Sequence, residues 1–281
     1  KNIIDKENEK GVVEGVIVQF GGQTPLRIAN KLKEYGYKIL GTSFEAIDIS
    51  EDRERFQKLI QKVGLKQPKS DISLGTKELV TKSSKLKFPI LLRPSYVLGG
   101  RMMEKMANLD DVQDYIDQNY WALENNVILI DEFLQNAKEV DVDVLRDNQG
   151  NTMIAGIMEH IEEAGIHSGD SACSIPPFSL NDKIISDIKK FSISLVNELK
   201  ILGLMNIQYA IKDDEIFILE ANPRASRTIP FLAKAIGIPF IKIAAELIVG
   251  KTLTEEYQNF DNNTLPYFAI KEAVFPFNKF P

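Results

Sequence analysis

Gln208-Tyr209-Ala210-Ile211, Lys212-Asp213-Asp214-Glu215 and Ile216-Phe217-Ile218-Leu219-Glu220-Ala221-Asn222-Pro223-Arg224 run consecutively. Two β-like apolar runs flank a polar turn, which predicts a hairpin. Its far ends carry polar side chains where an ordinary core hairpin would carry apolar ones. Glu220 and Asn222 share parity, so both point to one face of an extended strand. Gln208 joins that face only if the loop holds an odd number of residues or a bulge intervenes. One carboxylate and two amide oxygens would then converge, hard ligands that suit Mg²⁺ together with substrate phosphates. Pro223 should stop the ladder, and Arg224 and Arg227 add fixed positive charge. The plainer alternative is a solvated strand end with scattered polar residues.

The chain of 281 residues has room for one large domain or two ordinary ones. With 44% apolar and 26% charged residues, its composition is that of a soluble globular protein. A net charge of −6 argues against non-specific nucleic-acid binding, which needs clustered Lys and Arg. No apolar run approaches membrane-spanning length, and Lys1-Asn2-Ile3-Ile4-Asp5-Lys6 lacks a signal-peptide pattern, so no membrane role is expected. The single cysteine, Cys173, has no internal partner, which makes a reducing, cytoplasmic setting the expectation. The chain begins without Met and ends on Phe277-Asn278-Lys279-Phe280-Pro281, as a piece of something longer would.

Toward the N-terminus, Val16-Ile17-Val18-Gln19-Phe20 enters Gly21-Gly22-Gln23-Thr24-Pro25. A helix pattern follows with Leu26, Ala29 and Leu32 on one face, and Lys38-Ile39-Leu40-Gly41 returns as a strand. This is a βαβ unit, hence a parallel pairing, with a glycine turn of the kind that receives ligands. Glu51 to Val63 reads as an amphipathic helix stopped by Gly64, with Phe56, Leu59, Ile60 and Val63 as its stripe and Arg53 and Arg55 as solvated charges. Residues 65–70 form the best boundary, around Pro68.

Beyond it, Phe88 to Pro94 is a strand ending on Arg93. The loop Ser95-Tyr96-Val97-Leu98-Gly99-Gly100-Arg101 could lay backbone N–H groups over phosphates. Asp110 to Gln118 reads as a helix and Val127 to Leu134 as a buried strand. Glu139-Val140-Asp141-Val142-Asp143-Val144 alternates strictly, and its plain reading is a half-solvated strand. His160 and His167 sit among acids and turn formers, but their spacing matches no zinc motif. The loop of Gly165 and Gly169 looks instead like a backbone-rich ligand loop with His167 and Ser168 as polar contacts. Asn181 to Leu199 is a long amphipathic helix, and Pro230 to Ile248 is helical in two pieces broken at Gly237-Ile238-Pro239. Gly250-Lys251-Thr252 imitates the end of a P-loop, but Ala245 stands where that motif needs Gly and helix precedes it.

Six blocks occur in one order: Gly21-Gly22-Gln23-Thr24-Pro25, Glu51-Asp52-Arg53-Glu54-Arg55-Phe56, Arg93-Pro94-Ser95-Tyr96-Val97-Leu98-Gly99-Gly100, Glu139-Val140-Asp141-Val142-Asp143, His167-Ser168-Gly169-Asp170-Ser171 and Glu220-Ala221-Asn222-Pro223-Arg224. Together they resemble the large chain of carbamoyl phosphate synthetase, an ATP-grasp ligase, over nearly the whole sequence. Tyr96-Val97-Leu98-Gly99-Gly100-Arg101 and Glu159-His160-Ile161-Glu162 resemble its second, carbamate-phosphorylating half. The resemblance implies an α/β (α+β) fold, with a pre-ATP-grasp βαβ parallel-sheet domain at 1–66, a two-lobed ATP-grasp domain at 67–250 and a C-terminal tail at 251–281. It implies ATP and Mg²⁺ (or Mn²⁺) as cofactors. Arg53 and Arg93 would hold phosphates, Gly99 and Gly100 would close over them, and Leu134 with Glu132 would flank the adenine. Glu139 would bind the ribose, and Gly165, Ile166, His167 and Ser168 would line the nucleotide pocket. Gln208, Glu220 and Asn222 would hold the metals, with Arg224 and Arg227 facing the moving phosphoryl group. The substrate would be carbamate, the partners a glutaminase small subunit and the other synthetase half, and the pathway pyrimidine or arginine supply. Two other readings are a different ATP-grasp carboxylate ligase, and a lobe that binds ATP without turnover.

Overall fold

The computed structural model describes residues 1–94, 102–166, 170–260 and 265–274. The chain divides into two compact units, one of Lys1–Lys66 with Lys138–Pro281 and one of Gln67–Ala137.

The first unit opens with α1 (Asn2–Asn8), β1 (Val16–Ile17), α2 (Gln23–Glu34), β2 (Ile39–Leu40), α3 (Phe44–Glu51) and α4 (Arg53–Val63). β1 and β2 pair in parallel across α2, as the βαβ pattern requires, and Leu26, Ala29 and Leu32 pack with Val18 and Ile47. The charged helix expected from Glu51 begins two residues later. Glu51 closes α3, and the Asp52 carboxylate accepts from Arg55 N at 2.8 Å to cap α4. Gly64 ends α4 at φ 79°, a left-handed position that glycine takes without strain. Arg55 is tied to Glu45 and Asp48 rather than simply solvated.

The second unit is a four-stranded sheet in the order β3-β6-β4-β5, with two helices. Its elements are β3 (Ser70–Leu74), α5 (Leu79–Ser83), β4 (Ile90–Pro94), β5 (Glu104–Met106), α6 (Leu109–Leu123) and β6 (Val127–Glu132). Leu79, Val112, Tyr115 and Leu123 from the helices pack on Ile90, Leu92, Ile128 and Ile130. α6 outruns its expected end because Leu123 continues the apolar stripe into that core.

From Lys138 the chain builds β7 (Lys138–Arg146), β8 (Thr152–Glu163), β9 (Cys173–Ile175), α7 (Asp182–Glu198), β10 (Gly203–Lys212) and β11 (Glu215–Asn222). It continues with α8 (Ile229–Ile236), α9 (Phe240–Ile248), α10 (Glu255–Gln258) and β12 (Ala269–Lys271). These strands form a six-stranded sheet in the order β11-β10-β7-β8-β9-β12. One face packs Val140, Val142, Val144, Ile207, Tyr209 and Ile218 against Ile184, Ile188 and Leu195 of α7 and Phe56 and Ile60 of α4. The other face packs Leu145, Met158 and Leu204 against Leu232 of α8 and Phe240 and Leu247 of α9. Each such side chain taken out of water contributes about 1.5–3 kcal/mol. The half-solvated reading of Glu139 to Val144 is therefore overturned: with helices on both faces of the sheet, Glu139, Asp141 and Asp143 are buried. Among the described residues, no helix is long and apolar enough to cross a membrane.

Candidate functional site

The hairpin of β10 and β11 turns through Asp213 and Asp214 alone, at φ 51° and 60°. Aspartate tolerates this left-handed pair better than most residues, and the two-residue turn matches the twist of the strands. An even loop places Lys212 opposite Glu215, Ile211 opposite Ile216 and Tyr209 opposite Ile218. Continued without a break, that register would set Leu219 opposite Gln208 and send Glu220 and Asn222 to the same face as Ile216 and Ile218, which is the apolar core. The register instead shifts between Gln208 and Tyr209, so that Gln208 faces Glu220, Ile207 faces Ala221 and Asn206 faces Asn222. Leu219 is the extra residue of a β-bulge. Ala221 takes the core position, and Glu220 and Asn222 turn to the opposite face. The bulge, not the loop length, brings Gln208, Glu220 and Asn222 together.

Behind them the same face carries two transverse rows. Asp141 of β7 lies opposite Gln208, and Asp143 opposite Asn206. Glu139 accepts from Gly165 N at 3.1 Å, and Asp141 Oδ2 lies 3.1 Å from His160 Nε2. Asp141 Oδ1 is buried and has no hydrogen-bond partner among the described residues. Asp143 accepts from Ser226 Oγ at 2.8 Å, from Thr228 Oγ1 at 3.3 Å and from Asn206 Nδ2 at 3.3 Å. Burial pushes the Asp143 carboxyl up to about 7, with the Asp141 charge adding to the rise and the three donors opposing it. Glu139 is raised chiefly by burial, with Asp141 and Glu220 adding to the rise. Burial by itself lowers His160, yet its bond to Asp141 and the charges of Asp141 and Glu139 leave it raised overall. Crowded carboxylates of this kind favour a cation.

Asn222 Nδ2 donates to Glu220 Oε1 at 2.7 Å, and Asn222 Oδ1 accepts from Arg224 Nη2 at 3.3 Å. One exposed carboxylate with two amide oxygens on the same face fits a hard divalent ion that keeps several of its waters. Among the described residues, no group of three or more His, Cys, Asp or Glu is disposed to hold a metal. Arg227 is exposed, and Arg53 is half-buried at the first turn of α4. Gly165 and Ile166 are exposed just past β8. In the second unit, Arg93 Nε and Nη2 grip Asp131 Oδ2 at 2.9 and 2.5 Å, Glu132 accepts from Lys87 N at 2.9 Å, and Leu134 is half-buried. Gly99, Gly100, His167 and Ser168 lie outside the described residues.

Sequence reading missed Asp141, Asp143, Asn206, His160, Ser226 and Thr228 as members of this face. Parity carried part of the signal: Asn206 stands two residues before Gln208, and Asp141 and Asp143 follow Glu139 at the same step. Ser226 and Thr228 follow the Pro223 break, where strand parity says nothing.

Residues 52–256 match the domain described as "Carbamoyl-phosphate synthase L chain, ATP binding domain", and residues 1–49 the "Carbamoyl phosphate synthase preATP-grasp domain". Among curated relatives, the carbamoyl phosphate synthase large chain of Xanthomonas axonopodis pv. citri is 47% identical over 99% of this chain and 26% of its own length. That of Archaeoglobus fulgidus is 51% identical over 98% of this chain and 25% of its own. The chain thus spans about a quarter of the relatives it matches. Among solved structures, a biotin carboxylase–β-γ-ATP complex from Campylobacter jejuni superposes with TM-score 0.72 at 16% identity, over 92% of this chain and 58% of that one. N5-carboxyaminoimidazole ribonucleotide synthetase from Thermus thermophilus gives 0.72 at 15% identity, over 90% and 66%. At such identity these likenesses establish the fold, a pre-ATP-grasp domain followed by an ATP-grasp domain.

Proposed function

The chain belongs to the carbamoyl-phosphate synthase large-chain family, and from that premise we propose that it moves the γ-phosphoryl group of ATP onto carbamate, as the second of the family's two synthetase halves. The blocks Tyr96 to Arg101 and Glu159 to Glu162 support that half over the bicarbonate-phosphorylating one. The observation that carries the chemistry is the bulge, which faces Gln208 with Glu220 and sets Asn222 on the same face, with Arg224 hydrogen-bonded to Asn222.

A carbamate oxygen attacks the γ-phosphorus, the bond from that phosphorus to the β–γ bridging oxygen breaks, and the electron pair leaves with ADP. The products are carbamoyl phosphate and ADP. Such a transfer needs alignment and charge neutralisation rather than a covalent protein nucleophile. When bound, Mg²⁺ or Mn²⁺ supplies part of that neutralisation on the phosphate oxygens. Gln208, Glu220 and Asn222 would hold it. Arg53 and Arg93 hold phosphates, Glu139 the ribose, and Leu134 with Glu132 the adenine. Gly165 and Ile166 are assigned to the nucleotide, as the resemblance also implies for His167 and Ser168, and Arg224 and Arg227 to the phosphoryl group in flight. Carbamate is labile in water, so the transfer requires that solvent be excluded from the site. In the whole protein, a glutaminase small subunit and the other synthetase half would supply the labile substrate for pyrimidine or arginine synthesis in the cytoplasm.

Because the chain spans about a quarter of its relatives, a second reading is a lobe that binds ATP and turns over only with its missing neighbours. Mg²⁺-dependent ATP formation from ADP and carbamoyl phosphate by this chain alone separates the two. Activity that disappears in Glu220→Ala supports a self-contained module; ATP binding without turnover supports the lobe. Turnover retained in Glu220→Ala would remove that residue from the metal set.

A further inference from the structure

Arg224 is held by a residue from the opposite end of the chain. Its Nε donates to Gln23 Oε1 at 2.9 Å, its Nη1 to Ala225 O at 3.1 Å and its Nη2 to Asn222 Oδ1 at 3.3 Å. Gln23 is the first residue of α2, half-buried, and its Nε2 donates in turn to Glu51 at the end of α3. The Glu51 carboxylate accepts only, so it fixes which way round the Gln23 amide sits and aims Oε1 at the guanidinium. The backbone beside it is pinned as well. Gln19, fully buried, accepts through its carbonyl from Ala225 N at 2.9 Å, and its Nε2 donates to Pro223 O at 3.2 Å.

Resting on the phosphoryl-transfer reading above, we propose that Gln23 is a positioning residue of that reaction, which orients the guanidinium plane of Arg224 while leaving its charge unspent. A guanidinium has five N–H groups in a rigid fork. Among the described residues, three are bound to protein, one on each nitrogen. Against those residues, one N–H on each terminal nitrogen is left to meet an anion. Choosing an amide rather than a carboxylate as the Nε acceptor is decisive. A carboxylate would hold the same geometry but neutralise the cation that the transferring phosphoryl group needs. Gln23 thus makes the N-terminal βαβ segment part of the reaction machinery.

The test uses the full chain, with ADP, carbamoyl phosphate and saturating Mg²⁺. Gln23→Ala should lower kcat roughly tenfold, the effect of losing a hydrogen bond to a charged group, while the KM for MgADP stays within twofold and the melting temperature is unchanged. In the same variant, the Arg224 Nε–Hε signal in ¹⁵N spectra, assigned by its loss in Arg224→Lys, should exchange faster with water. A kcat equal to that of the parent, or an Hε signal that neither shifts nor exchanges faster, overturns the proposal. If Gln23→Ala melts early, Gln23→Glu decides. A protected Hε signal with lowered kcat upholds the role, and an unprotected one overturns it. A parent chain that binds ATP without turnover would support the lobe reading above, and the Hε signal then decides whether Gln23 orients Arg224.

Discussion

Deleting Leu219 should leave the candidate metal set intact. Without the bulge residue, Ile218 stays opposite Tyr209 and Glu220 stays opposite Gln208, so the ladder becomes regular with both faces unchanged. The cost is then local: rearranged hydrogen bonds around one residue at the sheet's edge strand, on the order of 1 kcal/mol. If an unbulged ladder instead held Glu220 at the site in the parent, removing one residue would flip Glu220 and Asn222 to the far face. The neighbours on the far face, Ile207, Tyr209 and Ile218, are all 0% exposed. An unpaired amide driven among them costs about 2–7 kcal/mol, and a carboxylate more. That sum rivals the whole stability of a domain, about 5–15 kcal/mol. Urea unfolding measures the first quantity and calorimetric Mg²⁺ titration in the presence of ADP the second. The expected result is a cooperative transition within about 2 kcal/mol of the parent and Mg²⁺ affinity within roughly tenfold. Loss of the cooperative transition, or a hundredfold weaker Mg²⁺ affinity, would refute the bulge argument.

Glu220→Gln keeps the shape of the set but removes its charge, and should lower Mg²⁺-dependent turnover by two orders of magnitude or more, about 3 kcal/mol, read as kcat at saturating nucleotide. Asp143→Asn should change the pH dependence of stability. The folded carboxyl titrates at about 7 against an ordinary 3.8, so between those values the unfolded chain has lost the proton that the folded chain keeps. The parent therefore loses stability relative to the variant as pH rises from about 4 to 7, on the order of 4 kcal/mol, and gains no further difference above that. Urea unfolding in EDTA across this range checks it, and parallel curves would remove the buried charge from the account. Gly41→Ala places a Cβ 2.1 Å from Gln19 Oε1 at a backbone φ of +96°. It should cost about 3 kcal/mol or more in thermal unfolding, because the Gln19 bonds to Thr42, Leu204 and Pro223 must give way.

Local sequence pattern carried the hairpin, the βαβ unit, the stop of α4 at Gly64, the extent of α7 between Asn181 and Leu199, and the break between α8 and α9. Each of these rests on a period of two or 3.6, or on a residue suited to one turn, and such signals act over a few neighbours. The order of the six blocks carried the family, since no single block would. Tertiary structure decided the rest. Glu139-Val140-Asp141-Val142-Asp143 alternates whether one face or both are covered, and only the packing of α8 and α9 onto the second face made its acids buried. Gln23 and Arg224 are 201 residues apart, and no period links them. The bulge at Leu219 is the sharpest case. Parity by itself sends Glu220 either to the core or to the site. What chooses between them is the free energy of burying a carboxylate among Ile207, Tyr209 and Ile218, a quantity that exists only once those side chains have been brought to one side of the sheet.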